Sequence, residues 1–69
     1  MSELLYDVLA VDMKTHRVTL MSESKTARNA EAIETTAVIR RGVDAEFFII
    51  VEAGKYKDGD EWSTDDEGI

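Results

Sequence analysis

The chain has 69 residues, enough for one small domain, and its lack of cysteine excludes disulfide bonds and thiolate metal sites. Its formal net charge of −7 argues against direct nucleic-acid binding, which needs clustered lysine and arginine. No apolar run approaches the roughly 20 residues of a membrane span, and the N-terminal sequence MSELLYD lacks the basic start of a signal peptide. We therefore expect a cytoplasmic protein without membrane association.

The first predicted element is a β-hairpin over residues 4–22. Residues 4–11, LLYDVLAV, are apolar on both strand faces, with Asp7 as the exception, and this pattern is typical of a central strand. A turn follows, in which Asp12 can accept hydrogen bonds from the backbone and His16 stands where a left-handed residue is often needed. Residues 17–21, RVTLM, are predicted as the return strand.

The only predicted helix lies within residues 24–43. At 100° per residue, one apolar stripe forms from Ala27, Ala30, Ile33, Ala37 and Val38. Ile39 points almost directly away from this stripe. Two interpretations stay open for it: a single exposed apolar residue, or part of a contact surface.

Both ends of this helix carry recognisable signals. Ser24 is predicted as the N-cap, with a hydroxyl that can accept from a first-turn N–H. Arg40 and Arg41 suit the negative end of the helix dipole, and Gly42 suits a left-handed position just beyond it. Val43 is then predicted to pack back on the last turn.

The strongest strand signal is the aromatic and β-branched sequence EFFIIVEA, residues 46–53, which is again apolar on both faces. The helix must connect the second strand to this third one. Right-handed crossovers join parallel strands, so the third strand is predicted to lie beside the first. The expected fold is α+β: a small ββαβ domain with an antiparallel sheet in the order 2-1-3 and one helix packed on one face.

The remaining residues carry weaker signals. Residues 55–57 are a candidate for a short fourth strand, Asp58-Gly59 is a turn signal, and Glu61-Trp62 is a candidate return. Disorder is expected for residues 63–69. The predicted organisation is a single domain over residues 1–62 followed by an acidic, disordered tail.

One helix covers only one sheet face, so the other face needs an explanation. If Phe47, Ile49 and Val51 face the helix, the opposite face is formed by Phe48, Ile50, Leu5, Leu9 and Met21. An open apolar face of this kind indicates an interface. Two interpretations remain: residues 56–62 fold back and cap the face, or the face pairs with another protein or a second copy. In a homodimer, the interface residues would be Phe48, Ile50 and Leu9.

The acidic residues are unevenly distributed. Residues 58–69 hold six of the fifteen carboxylates and none of the eight bases, which leaves the preceding residues with a net charge of −1. One interpretation is solubility and the other is attraction to a basic protein surface, such as one that normally binds nucleic acid. Tyrosine and tryptophan are typical hot-spot residues. The predicted partner-binding residues are Tyr56, Asp58, Asp60, Glu61, Trp62, Asp65, Asp66 and Glu67.

No residue pattern indicates catalysis. His16 is the only histidine and stands in a predicted turn, where it is more often structural than catalytic. The four glycines are isolated, so no phosphate-binding loop is predicted, and the sequence DGDE at residues 58–61 lacks the ligand spacing of an EF-hand. We therefore expect a protein that is not an enzyme and binds no cofactor or metal.

Five features occur together in this chain: the small size, the absence of cysteine, the ββαβ order, the alanine-rich helix TARNAEAIETTAVIRRG and the acidic, aromatic sequence YKDGDEW. In this combination the chain resembles the small acidic proteins of phages and mobile elements, including anti-CRISPR and other anti-defence inhibitors. The resemblance implies stoichiometric binding and blocking of a host protein. It rests on the whole pattern, so no residue role is transferred from it.

These observations predict a non-enzymatic protein-binding module, an inhibitor of phage type that blocks a host nucleic-acid-handling or defence protein through its acidic and aromatic surface. The alternative is a homo-oligomeric structural or accessory protein that pairs through its apolar sheet face.

Overall fold

The computed structural model describes residues 4–42, 44–66 and 68. In chain order the elements are β1 (Tyr6–Asp12), β2 (Val18–Lys25), α1 (Ala27–Arg41) and β3 (Glu46–Glu52). The central strand β1 pairs antiparallel with both neighbours, in the order β2-β1-β3. Helix α1 packs on one face of this sheet. The predicted α+β fold, its strand order and its single helix on the sheet are confirmed.

The β1–β2 turn has the predicted chemistry. One carboxylate oxygen of Asp12 accepts hydrogen bonds from the backbone N–H groups of Lys14, at 2.8 Å, and Thr15, at 2.9 Å. His16 adopts a φ of 60°, in the left-handed region. These contacts fix the hairpin turn before the chain enters β2.

Strand β2 continues beyond its predicted end at residue 21, and it does so through two register shifts opposite the start of β1. Asp7 lies at this irregularity and is 3% exposed. Its carboxylate accepts hydrogen bonds from the N–H of Ser24, at 2.9 Å, and the N–H of Gly54, at 3.0 Å. The carboxylate in an otherwise apolar strand therefore satisfies two backbone donors from neighbouring segments.

Helix α1 begins later than predicted. Its N-cap is Thr26, whose hydroxyl accepts a hydrogen bond from the N–H of Asn29 at 3.3 Å. The prediction of Ser24 as N-cap is wrong because strand pairing continues through Lys25 and holds Ser24 within β2. At the other end, the predicted position of Gly42 just beyond the helix is confirmed. Its φ is 74°, and its N–H donates to the carbonyl of Val38. The predicted packing of Val43 lies outside the described residues.

The helix covers the sheet face opposite to the predicted one. Ala30 packs on Val8 and Ile50, and Ala37 packs on Ala10 and Phe48. The assignment of Phe48 and Ile50 to an open face is therefore wrong. A strand that is apolar on both faces does not reveal by its alternation which face the helix will cover. Of the predicted helix stripe, Ala27 and Val38 remain exposed. Ile39, which lies away from that stripe, is 77% exposed.

The second sheet face has its own cover. Its buried cluster consists of Leu9, Val11, Val18 and Val51. Tyr56 and Trp62 pack against this cluster, so residues of the segment 56–62 cap the face opposite the helix. Of the residues predicted for that face, only Leu9 belongs to this cluster. The candidate fourth strand does not form among the described residues, where the only ladder contact of this segment is a single bridge between Arg17 and Glu61.

Strand β3 forms one edge of the sheet and is apolar between its terminal residues Glu46 and Glu52. The backbone of Gly68 approaches this strand closely. A Cβ atom at Gly68 would lie 2.8 Å from the carbonyl oxygen of Ile50, and the φ of Gly68 is 79°. The chain thus passes close to the middle of β3 at a position that suits glycine alone.

Candidate protein-interaction surface

Residues 53–66, here called the C-terminal segment, carry most of the predicted interaction residues. Backbone hydrogen bonds attach the segment to the outer edge of β2. The N–H of Val18 donates to the carbonyl of Asp60 at 2.8 Å, and the N–H of Gly59 donates to the carbonyl of Val18 at 2.8 Å. The N–H of Trp62 donates to the carbonyl of His16 at 2.7 Å. These bonds satisfy backbone groups of Val18 at the edge of β2 and of His16 in the preceding turn, which a foreign strand would otherwise find unpaired.

Trp62 anchors the segment on the sheet. Its ring meets the ring of Phe47 edge-to-face at a centroid distance of 4.9 Å, and the ring of His16 in the same manner at 5.6 Å. The indole N–H is buried and has no acceptor among the described residues. Trp62 therefore acts mainly through apolar packing, and its half-buried ring is part of the fold rather than a free contact residue.

Asp66 closes the segment. Its carboxylate accepts hydrogen bonds from the hydroxyl of Tyr56, at 2.9 Å, and from the N–H of Gly68, at 3.0 Å. It also forms an ion pair with the ammonium group of Lys55 at 3.1 Å. The N–H of Gly68, followed by Lys55 and Tyr56, lowers the pKa of Asp66, against the opposing effect of burial. For Tyr56, burial and the neighbouring carboxylate raise the pKa.

Asp66 makes these contacts within residues 63–69, the range for which disorder is predicted. The sequence shows a run of small and acidic residues there, which resembles a solvated tail. The ordering contacts come from Lys55 and Tyr56, which lie ten or more residues earlier in the chain. Glu67 and Ile69 lie outside the described residues.

Two more of the predicted contact acids have internal partners. A carboxylate oxygen of Asp58 accepts from the N–H of Leu20 at 3.0 Å, and one of Asp60 accepts from the N–H of Lys57 at 2.8 Å. Charge-assisted bonds of this kind are stronger than neutral ones and hold a loop in one conformation. A carboxylate has about four acceptor sites, so each of these exposed groups retains capacity for an outside partner.

Glu61 and Asp65 are the acids that the fold uses least. Both residues are exposed, and their carboxylates make no hydrogen bond or ion pair with the part of the chain that the structure describes. Together with Asp58 and Asp60 they form what we call the acidic surface: Asp58, Asp60, Glu61 and Asp65. Of the predicted partner-binding residues, the structure leaves these four exposed on the C-terminal segment.

The residues predicted for an oligomer interface lie inside the fold. Leu9 is 0% exposed, Ile50 is 7% exposed and Phe48 is 9% exposed. Leu9 lies beneath the C-terminal segment and the other two lie beneath α1. These three side chains therefore have almost no surface available to a second copy in the described fold.

A groove on the helix side offers a second concave surface. It has a volume of about 460 Å³ and lies between α1 and β2, with Met21, Ile33 and Arg40 among its lining residues. Near its end Arg41 forms an ion pair with Glu46 at 2.8 Å. Within residues 4–42, 44–66 and 68, no three side chains of histidine, cysteine, aspartate or glutamate converge as a metal site would require. The one described helix is too short and too polar to cross a membrane.

Neither a protein-family model, nor a curated protein, nor a solved structure matches this chain. The interpretation of its surface therefore rests on the residues and contacts described above.

Proposed function

We propose that the protein is a non-enzymatic protein-binding module that uses the acidic surface to bind a basic surface on another protein. The observation that carries this proposal is the attachment of the acidic surface to the folded sheet. Asp60 and Glu61 follow the edge of β2 through backbone bonds to Val18 and the bridge to Arg17. A backbone held in this way loses little conformational freedom when its carboxylates meet a partner.

The local charge supports a basic partner. From residue 58 onwards the chain carries six carboxylates and no base, so the field around the C-terminal segment is negative despite Lys55 and Lys57 nearby. A concentrated charge of one sign steers a partner of opposite sign and accelerates encounter. Solubility alone would not require these charges to be fixed on a sheet edge, since a disordered tail would serve it equally well.

The partner class follows from the same chemistry. Basic surfaces on proteins commonly serve to hold nucleic acid, whose phosphates an array of carboxylates can replace electrostatically. The resemblance to phage-encoded inhibitors adds that the partner is a host nucleic-acid-handling or defence protein in the cytoplasm and that binding blocks it. Self-pairing through an open sheet face has less support, because Leu9 lies beneath the C-terminal segment, and Phe48 and Ile50 lie beneath α1.

The test compares two variants that each remove two negative charges. In E61Q/D65N the changes fall on the acidic surface, at side chains without described internal bonds. In the control E23Q/E52Q they fall on exposed strand residues elsewhere. The immobilised full chain captures proteins from nuclease-treated host lysate, and the captured protein is then purified and titrated against each variant by calorimetry.

We expect E61Q/D65N to bind at least about tenfold more weakly than the unmodified chain, while E23Q/E52Q binds almost normally. Affinity should fall steeply between low and high salt, and short duplex DNA should compete with the protein for its partner. Equal affinity of the two variants, or binding insensitive to salt, would refute a charge-directed interface.

A further inference from the structure

No further inference is drawn: the strongest candidate, the apolar groove between α1 and Met21 of β2, carries none because nothing among the described residues shows what covers it.

Discussion

The two faces of the sheet are covered by different means. Helix α1 contributes the small side chains of Ala30 and Ala37, so its backbone lies close to the sheet and the strands supply most of the buried apolar area. The C-terminal segment has almost no regular structure and contributes the large rings of Tyr56 and Trp62 instead. Each ring is half-buried, and half of its area at roughly 25 cal/mol per Å² contributes about 2 to 3 kcal/mol. An irregular segment thus covers a sheet with few residues, provided that those residues are large.

Among the variants that test this comparison, W62A should cause the largest loss of stability. Removing the indole leaves a void over Phe47 and the buried cluster beneath it, and we expect a loss of about 3 kcal/mol of unfolding free energy. The control is I39A, which truncates an exposed apolar residue on the helix and should change stability by less than about 0.5 kcal/mol. Urea denaturation followed by far-UV circular dichroism measures both.

A conservative variant separates loss of packing from a general failure to fold. W62F keeps an aromatic ring and removes the buried indole N–H that lacks a described acceptor. We expect W62F to retain most of the stability that W62A loses. If W62A is as stable as the unmodified chain, the segment is not part of the core and the comparison fails.

The helix side is tested in the opposite direction, by adding volume. A30L places a larger side chain at a position that is 0% exposed against Val8 and Ile50, and overpacking there should cost about 2 kcal/mol. A32L adds the same atoms at an exposed position of the same helix. Chemical denaturation should show a marked loss for A30L and little change for A32L. Tolerance of A30L would mean that close approach of the helix is not required.

The attachment of the C-terminal segment is tested at Asp66. D66N weakens the charge-assisted contacts with Lys55 and Gly68 and should cost about 1.5 kcal/mol at neutral pH. D65N makes the same chemical change at the exposed neighbour and should have little effect. The fluorescence of Trp62, the only tryptophan in the chain, reports unfolding of the segment in both variants.

The pH dependence has a definite sign. The pKa of Asp66 in the folded protein lies below its ordinary value of 3.8, because the N–H of Gly68 and then Lys55 favour the charged form. Its contribution is therefore complete above pH 3.8 and is lost as the pH falls through the lower folded value. The pKa of Asp12 is lowered by the N–H groups of Thr15 and Lys14, so D66N should reduce the acid sensitivity without removing it. If the unfolding free energy of D66N falls with decreasing pH as it does in the unmodified chain, Asp66 does not contribute to stability in this way.

The smallest predicted effect concerns the start of the helix. T26A removes the hydroxyl that accepts from the N–H of Asn29 and should cost about 1 kcal/mol. S24A changes the residue that the sequence pattern indicated as the cap, whose hydroxyl does not cap the helix in the structure, and it should be nearly neutral. Thermal unfolding of the two variants distinguishes the observed cap from the predicted one. A larger loss in S24A would favour the earlier helix start.

Much of the fold follows from local sequence patterns. Apolar residues on both faces predict strands β1 and β3, and the rule for right-handed crossovers then predicts that β1 is central, as observed. The C-terminus of α1 was predictable because Arg40, Arg41 and Gly42 each have a local physical role there. Such signals depend only on neighbouring residues, so they can be read from the sequence without knowledge of the tertiary contacts.

The features that were not predicted depend on distant residues. The end of β2, residues 22–25, has no apolar alternation and is held by pairing with β1 and by Asp7. The C-terminal segment is held by bonds to His16 and Val18, more than forty residues earlier in the chain. The composition of residues 63–69 indicated a solvated tail, because local composition does not report contacts with residues far away in the sequence. Among the acids, only the contacts separate Asp58, Asp60 and Asp66 from Glu61 and Asp65.

The packing of Tyr56 and Trp62 on the sheet also matters for states in which the C-terminal segment is not docked. Whenever the C-terminal segment is undocked, the sheet face around Leu9 and Val11 loses the cover of these two rings. The run Phe47 to Val51 is then the kind of β-prone stretch that associates with other nascent chains. The acids Glu46 and Glu52 bracket this run, in the positions that charged gatekeeper residues take beside aggregation-prone strands. We therefore expect the two glutamates to limit association between chains in which the C-terminal segment is undocked.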